Sequence, residues 1–435
     1  MASESPTLKR SLGLLECTLM GVGVMLGAGI YALVGQASAL AGNAVWIAFL
    51  VASVVAGITG LSYAELSSFI PRAGGEYYYA NRAFGPRIAF LATWLLVLGI
   101  AVCSSTVAIG FAGYLHALTG IDEILSASLV VAATAGILIY GIKESAWVAA
   151  FCTFVELVGL AIIITVGIPK LGTIDYFETA AGGQTGVLTA AALIFFAYVG
   201  FEEIVQLAEE TREPSRNIPL AVLLSVVITT VLYVVVALCA ISVVGWNTLG
   251  TSKSPLADVA AVALGHKAFL TLGIIALFST ANTVLIMLMS AARLLYGMAE
   301  DGSLPSVFAR IHRTRQTPFM ATIAISTLAV VLIVTLQQIA VVASLTNFAL
   351  LMTFVIINGA VIVLRYREPD QQRPFRIPGQ IGRLPVVPLL GVLTSLTLLW
   401  YVDTIAIYLG TGLTALGLIL YWLRAQPRTR QHSTE

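Results

Sequence analysis

Glu156 lies almost at the centre of FCTFVELVGLAIIITVG (151–167), and no other charged residue stands between Glu144 and Lys170. An ionised carboxylate in such a run costs about 2.5–3.5 kcal/mol on membrane-insertion scales, so desolvation favours its neutral, protonated form. Three roles stay open for it: a group that binds and releases a proton, a member of a cation site, or a neutral carboxyl hydrogen-bonded to a neighbouring helix. A second acidic pair, Glu202 and Glu203, follows Gly200 in FFAYVGFEEIVQLAEET (195–211). Adjacent residues on a helix point about 100° apart, so the pair cannot both face one cavity fully. The third feature is GVGVMLGAGI (21–30), where Gly21, Gly23, Gly27 and Gly29 interrupt an apolar run. Each glycine costs roughly 1 kcal/mol relative to alanine inside a helix, which pushes the backbone towards unwinding.

The elements that position these residues are membrane helices. The 435 residues are 58% hydrophobic and 10% charged, against about 25% charged in an ordinary soluble domain, and the mean hydropathy is +0.94. Twelve runs reach the ~20 apolar residues that a bilayer crossing needs. They lie near 11–40, 44–70, 84–115, 125–141, 146–168, 187–210, 219–244, 268–299, 318–336, 339–364, 384–402 and 405–423. With both termini in the cytoplasm, twenty of the 23 Lys and Arg residues fall on the cytoplasmic side, leaving Lys170, Lys253 and Lys267 outside. That asymmetry is the positive-inside signal and predicts a multi-pass protein of the cell membrane. Lys9, Arg10 and the Ala37-Ser38-Ala39 triplet imitate a signal peptide, but the apolar run is too long and carries Glu16. The loops around 245–266 and 300–317 are too short to hold a core, so function is expected inside the bundle. Cys17, Cys103, Cys152 and Cys239 are widely spaced, as are the four histidines, which predicts no metal, disulfide or cofactor.

Segments one and six, each interrupted by glycine, are the first of five in each half when 11–168 and 187–364 are read as two repeats, with 384–423 as two further helices. An odd number of helices per repeat inverts the second half, and matched interruptions point to a substrate site at the bilayer midplane. Backbone groups freed by unwinding persist only where they line a protein-enclosed or watery cavity. Freed N–H groups at the start of a half-helix suit a carboxylate, and freed carbonyls suit an ammonium. One broken helix can hold both ends of a zwitterion. Gly23 and Gly27 also have the small-xxx-small spacing of close helix packing, so packing remains a reading of segment one.

GVGVMLGAGIYALVG, SYAELSSFIPRAGGEYYYANRAFGP, FFAYVGFEE followed by AEETREPSRNIP, and ARLLYGMAEDGSLP together resemble the amino acid-polyamine-organocation (APC) superfamily of amino acid permeases, over about residues 11–364. The resemblance implies an all-α membrane protein of twelve transmembrane helices, a five-plus-five inverted repeat (LeuT-like) with broken first and sixth helices, working by alternating access. It places the substrate carboxylate at Gly27, Ala28 and Gly29, and the ammonium at carbonyls around Met25, Phe196, Ala197 and Val199. Phe196 and Tyr198 would be aromatic lids or pocket walls. Glu202 matches an acidic position that couples gating to substrate, whereas Glu203 is not expected there. Proton-coupled members carry a lysine where this chain aligns Glu156, which puts the lysine mechanism in doubt and leaves a titratable group in place. Glu156 is then either the proton site or part of a cation site with carbonyls of the first helix and the hydroxyls of Ser279 and Thr280.

Glu65, Glu76, Glu209 and Glu210 lie close in sequence to Arg72, Arg82, Arg212 or Arg216, as anchors or salt-bridged gates. Cys103, Ser104, Ser105 and Asn282 are candidate pocket walls. The expected function is secondary active amino acid transport, coupled to protons, with exchange, sodium coupling and a non-transporting sensor as alternatives. No clustered catalytic residues, Walker motif or nucleic-acid-binding pattern is present. The expected partners are an amino acid, a coupling proton or sodium ion, and the bilayer.

Overall fold

The computed structural model describes residues 12–71, 75–140, 142–208, 211–300, 302, 304–312, 315, 317–336 and 338–425. Lys9, Arg10, Arg72, Glu209, Glu210, Arg313, Arg428 and Arg430 lie outside them, and Ala28, Lys143 and Arg424 are described by their backbone alone. In chain order the helices are α1 (Leu14–Met25), α2 (Ala28–Ala41), α3 (Val45–Phe69), α4 (Gly75–Phe84), α5 (Pro86–Thr119), α6 (Glu123–Tyr140), α7 (Ile142–Gly167) and α8 (Gly183–Ile194). Then follow α9 (Pro214–Val244), α10 (Trp246–Thr251), α11 (Pro255–Leu264), α12 (His266–Glu300), α13 (Phe319–Leu336), α14 (Ile339–Arg367), α15 (Val386–Trp400) and α16 (Thr404–Ala425). Between α8 and α9 run two 3-10 segments, Phe195–Tyr198 and Phe201–Leu207.

Among the described residues ten helical stretches are long and apolar enough to cross a membrane, with Leu14–Met25, Pro255–Leu264 and Val386–Trp400 as shorter apolar helices. One of the ten, Gly29–Phe69, has 41 residues, or about 60 Å of helix, twice the thickness of the hydrocarbon core. Gly42, at φ 70°, breaks it, and a Cβ there would stand 2.6 Å from the Ala180 nitrogen. The stretch is therefore two helices, α2 and α3. The loop expected around 245–266 instead contains α10 and α11, and α4 lies between the second and third apolar runs. α4 has ten residues, too short for a crossing, and buries Glu76, Tyr79, Ala80 and Ala83 on one side. One short hairpin departs from an all-helical chain, with Gln380 paired to Pro385 and Ile381 to Leu384 around Gly382 at φ 60°.

α5 packs along α12, α14 and α6, while α3 packs most extensively on α9. Leu15, Phe154, Val227, Val231 and Leu393 point outward, as expected where the solvent is lipid. Lipid tails are as apolar as these side chains, so close packing and polar contacts, rather than hydrophobic burial, hold the bundle together. Gly417 receives Trp94, whose indole ring would stand 2.4 Å from an added Cβ and whose Nε1 donates to the Leu413 carbonyl at 3.0 Å. Asn358 of α14 donates to Thr59 at 3.0 Å and accepts from Ser62 at 2.6 Å, while Gly391 of α15 leaves room for its amide.

Two ties close one end of the bundle. Leu12 forms a parallel bridge with Thr211, with the Arg212 N–H donating to the Leu12 carbonyl at 2.8 Å. On α3, Glu65 is fully buried and takes both forks of Arg365, the Ile377 N–H at 2.9 Å and, at 3.3 Å, Arg373. This cluster fastens α14 and the following loop to α3. Arg82 and Glu368, at 2.7 Å, are about one third exposed; such a pair contributes about 0–1 kcal/mol. Removing one partner of a buried pair instead costs about 3–5 kcal/mol. Glu65→Gln is therefore expected to lower the midpoint of thermal unfolding in detergent well below that of Glu368→Gln. Equal midpoints would show that the buried cluster is not a main fastening.

Candidate functional site

α1 ends at Met25, and α2 begins at Ala28 after Leu26 and Gly27. Gly27 sits at the α2 N-cap and provides no side-chain cap, so the first N–H groups of α2 lack the acceptor that a Ser or Asp would bring. No side chain fits at Gly27, because a Cβ would lie 1.9 Å from the Thr283 hydroxyl of α12. At Gly29 a Cβ would lie 2.3 Å from the Ala197 Cα. The start of α2 thus rests directly on the backbone of the second interruption.

That second interruption begins where α8 gives way to 3-10 geometry at Phe195–Tyr198 and ends at Val199 and Gly200. Gly200 has φ 122°, a conformation open to glycine and strained for other residues, and its missing side chain would meet Val24 of α1 at 2.4 Å. The two interruptions are therefore in contact at Gly29 with Ala197 and at Gly200 with Val24. Gly21 and Gly23 accommodate other neighbours, Ile204 and Ser225 for the first and Thr153 for the second.

The freed carbonyls are met by side chains. Tyr233 of α9, fully buried, directs its hydroxyl at the Met25 carbonyl and at the Ala197 carbonyl, 2.9 Å away. A hydroxyl has one proton, so the two carbonyls share it. Asn347 of α14 donates to the carbonyls of Ala192 at 2.7 Å and Leu193 at 3.1 Å, at the end of α8. Tyr198 turns its hydroxyl to the Phe49 carbonyl at 3.1 Å and stacks edge-on against Tyr233, 5.5 Å between centroids. Phe196 is buried at 4% exposure.

Glu156 is fully buried on α7. Its Oε1 accepts from the Ser279 hydroxyl of α12, and its Oε2 has no hydrogen-bond partner. Its backbone carbonyl accepts from Tyr31 of α2 at 2.9 Å, and the Tyr31 carbonyl accepts from Tyr114 at 2.6 Å. One turn along, Asn282 donates to Thr153 at 3.3 Å and its own Oδ1 is unpartnered. The buried Thr280 hydroxyl donates to the Ala276 carbonyl of its own helix at 2.7 Å. The hydroxyl facing the first interruption belongs to Thr283, four residues from Ser279 and thus on the same helix face. Glu202 is buried, and its Oε2 accepts the Gly200 N–H at 3.0 Å. Glu203 accepts from Ser290 at 2.6 Å.

The sequence reading missed Tyr233 and Thr283. A signal for Tyr233 existed: it is the one aromatic residue in the seventh apolar run, and a buried tyrosine hydroxyl seeks a partner. Thr283 carried none, since its role comes from a neighbour on another helix.

Residues 12–423 match the family model described as amino acid permease. The chain is 30% identical to the branched-chain amino acid permease BcaP of Bacillus subtilis (strain 168), over 99% of this chain and 95% of that protein. It is 31% identical to the methylthioribose transporter of the same organism, over 99% and 96%. Similarity to the vacuolar cationic amino acid transporter 2 of Arabidopsis thaliana is 30% over 85% of this chain and 62% of that one. With ten helical stretches long and apolar enough to cross a membrane, this is a multi-pass membrane transporter rather than an enzyme, and the chain belongs to the amino acid permease family of the APC superfamily.

Proposed function

We propose that the chain is a secondary active transporter that carries amino acids across the cell membrane by alternating access, coupled to protons through Glu156. The observation that carries this reading is the meeting of two interrupted helices, Met25 to Gly29 against Ala197 to Gly200, with carbonyls of both held by one hydroxyl. In this reading the chain crosses twelve times, with α1 and α2 together as the first helix and α8 with its 3-10 extensions as the sixth. Residues 11–168 and 187–364 are then two inverted repeats of five, 384–423 supplies the last two helices, and both termini lie in the cytoplasm. The substrate carboxylate meets the N–H groups of Gly27, Ala28 and Gly29, favoured by the positive end of α2. Its ammonium meets the carbonyls of Met25, Phe196, Ala197 and Val199, displacing or sharing the Tyr233 hydroxyl. Phe196 and Tyr198 close over it.

Glu156 has the surroundings a proton carrier needs. One carboxyl oxygen is engaged by Ser279 and the other is unpaired and buried, which favours a proton there over a bare charge. Glu202 ties the sixth-helix break to the substrate through the Gly200 N–H. Thr283 and the free Oδ1 of Asn282 favour a cation between α7, α12 and the first break as the second reading, in which sodium replaces the proton.

The deciding experiment is uptake into proteoliposomes of a panel holding branched-chain and cationic amino acids and methylthioribose, under imposed pH or sodium gradients. Accumulation of an amino acid driven by an inward proton gradient is expected. No accumulation of any of them, under any gradient or counter-substrate, overturns the transporter reading. Glu156→Gln, which keeps the Ser279 contact, is expected to leave counter-exchange but remove its dependence on the proton gradient; an unchanged pH profile removes Glu156 from coupling. Tyr233→Phe strands two buried carbonyls, at about 1–3 kcal/mol for an unsatisfied group. Uptake about tenfold or more lower, with the pH profile of the parent, is expected; undiminished uptake would show that the hydroxyl is dispensable.

A further inference from the structure

Glu156 is covered on one side by a column of bonded residues. Tyr31 of α2, two residues beyond Gly29, is fully buried, and its hydroxyl donates to the backbone carbonyl of Glu156 at 2.9 Å. It reaches that carbonyl because residue 159 of α7 is glycine. A Cβ there would stand 2.6 Å from the Tyr31 hydroxyl and 2.5 Å from Ile275 of α12, so a side chain would displace the tyrosine. Glycine inside a helix weakens it, yet α7 runs unbroken from Ile142 to Gly167. The glycine makes no bend or cap there; it makes a notch, and the hydroxyl of Tyr31 fills it.

Tyr31 is held in its turn. Its backbone carbonyl accepts from the buried hydroxyl of Tyr114 of α5 at 2.6 Å, and the backbone of Leu256, at the start of α11, is hydrogen-bonded to the same hydroxyl. Gly113, beside Tyr114, lies against the Lys253 carbonyl just before α11. In the topology proposed above, Gly159 is on the outward side of Glu156, and the column leads from there through Tyr31 and Tyr114 to α11. Each step along it is a hydrogen bond.

The carboxyl of Glu156 belongs to the residue on which this column stands. Its Oε1 is engaged by Ser279 and its buried Oε2 has no partner. Ser279 lies one helical turn inward from Ile275, which borders the notch. Among the described residues, the ionisable side chains that act with Glu156 are Tyr31, Tyr233 of α9 and Cys152 of α7. None of the three brings a positive charge.

We propose that Tyr31 is the outer stopper of the Glu156 site, and that the slot it vacates beside Gly159 is the route by which external water reaches the carboxyl. While the hydroxyl is seated, α2, α7 and α12 close over Glu156. When α2 moves off α7, the bonds of Tyr31 to Glu156 and Tyr114 break together, and the glycine leaves an opening that no side chain of α7 fills. A proton from external water then adds to the free Oε2 of the carboxylate, or returns from it, and only O–H bonds form and break. Access is tied to α11 as well, because Leu256 and Tyr31 share the Tyr114 hydroxyl. The consequence for coupling rests on the transport reading, whereas the stopper rests on the contacts alone.

The test reads access without transport. Purified protein is reconstituted with known sidedness, and a permanently charged carbodiimide with an amine nucleophile is added to one face at a time. Modification of Glu156 is followed by mass spectrometry of the peptide that carries it, with Glu156→Gln as the blank. Tyr31→Phe keeps the ring and loses the hydroxyl, and the loss of one such bond is expected to speed modification from the outer face about tenfold. The rate from the inner face is expected to match the parent's. An outer rate equal to the parent's, or a rise of the same size from both faces, overturns the proposal, since general loosening of the bundle has no side. Tyr114→Phe gives the same readout should Tyr31→Phe fail to fold. A one-sided rise in a protein whose uptake ignores the proton gradient would remove Glu156 from coupling and leave the stopper standing.

Discussion

A backbone N–H or C=O at the centre of a bilayer has no water to bond, and each one left unsatisfied costs several kcal/mol. Two interrupted helices multiply that demand, and the surrounding structure is arranged around meeting it. Tyr233 serves a carbonyl from each interruption, Asn347 serves the last carbonyls of α8, and Glu202 serves the N–H of Gly200. These three side chains come from three different elements, so the breaks are stable only when α9, α14 and the segment after Gly200 are all in place. Interruption is a property of the assembled bundle, not of α1 or α8 alone.

The same demand explains the close contacts. Because the Gly29 and Ala197 backbones touch without an intervening side chain, groups exposed by unwinding face protein instead of lipid. Thr283 fits against Gly27 for the same reason, and a residue with a Cβ at either glycine would separate the elements that complete the site. Glycines elsewhere have a different use. Gly417 seats Trp94, which fastens α16 to α5 through a side chain instead of through backbone contact.

How far this was legible in the sequence depends on the range of the interaction. The apolar runs, the interruptions near Gly27 and Gly200 and the buried isolation of Glu156 are local properties, readable from composition and spacing. Partner choice is not local. Ser279 was named with Glu156 and does contact it, while the Thr280 hydroxyl named beside it donates to a carbonyl of its own helix, one residue on and about 100° around the helix. Tyr233 was visible only as an unusual residue, since its acceptors lie 208 and 36 residues away. Glu65 was grouped with arginines near in sequence, whereas the arginines that bind it, Arg365 and Arg373, come from the far end of the chain. α11 was taken as loop because a ten-residue helix falls below the length at which an apolar run announces a crossing.

The bridge from Leu12 to Thr211, together with the contact of Cys17 and Thr211 at 3.3 Å, yokes the outer ends of the two broken helices. Towards their inner ends they meet again where Gly200 lies against Val24 and Gly21 against Ile204. Each half-helix is thus pinned to the other at both of its ends, like two rungs sharing a frame. A rotation that swings α1 aside must carry Phe201–Leu207 with it, so an opening on that side is one doorway hung on a single hinge rather than two independent leaves.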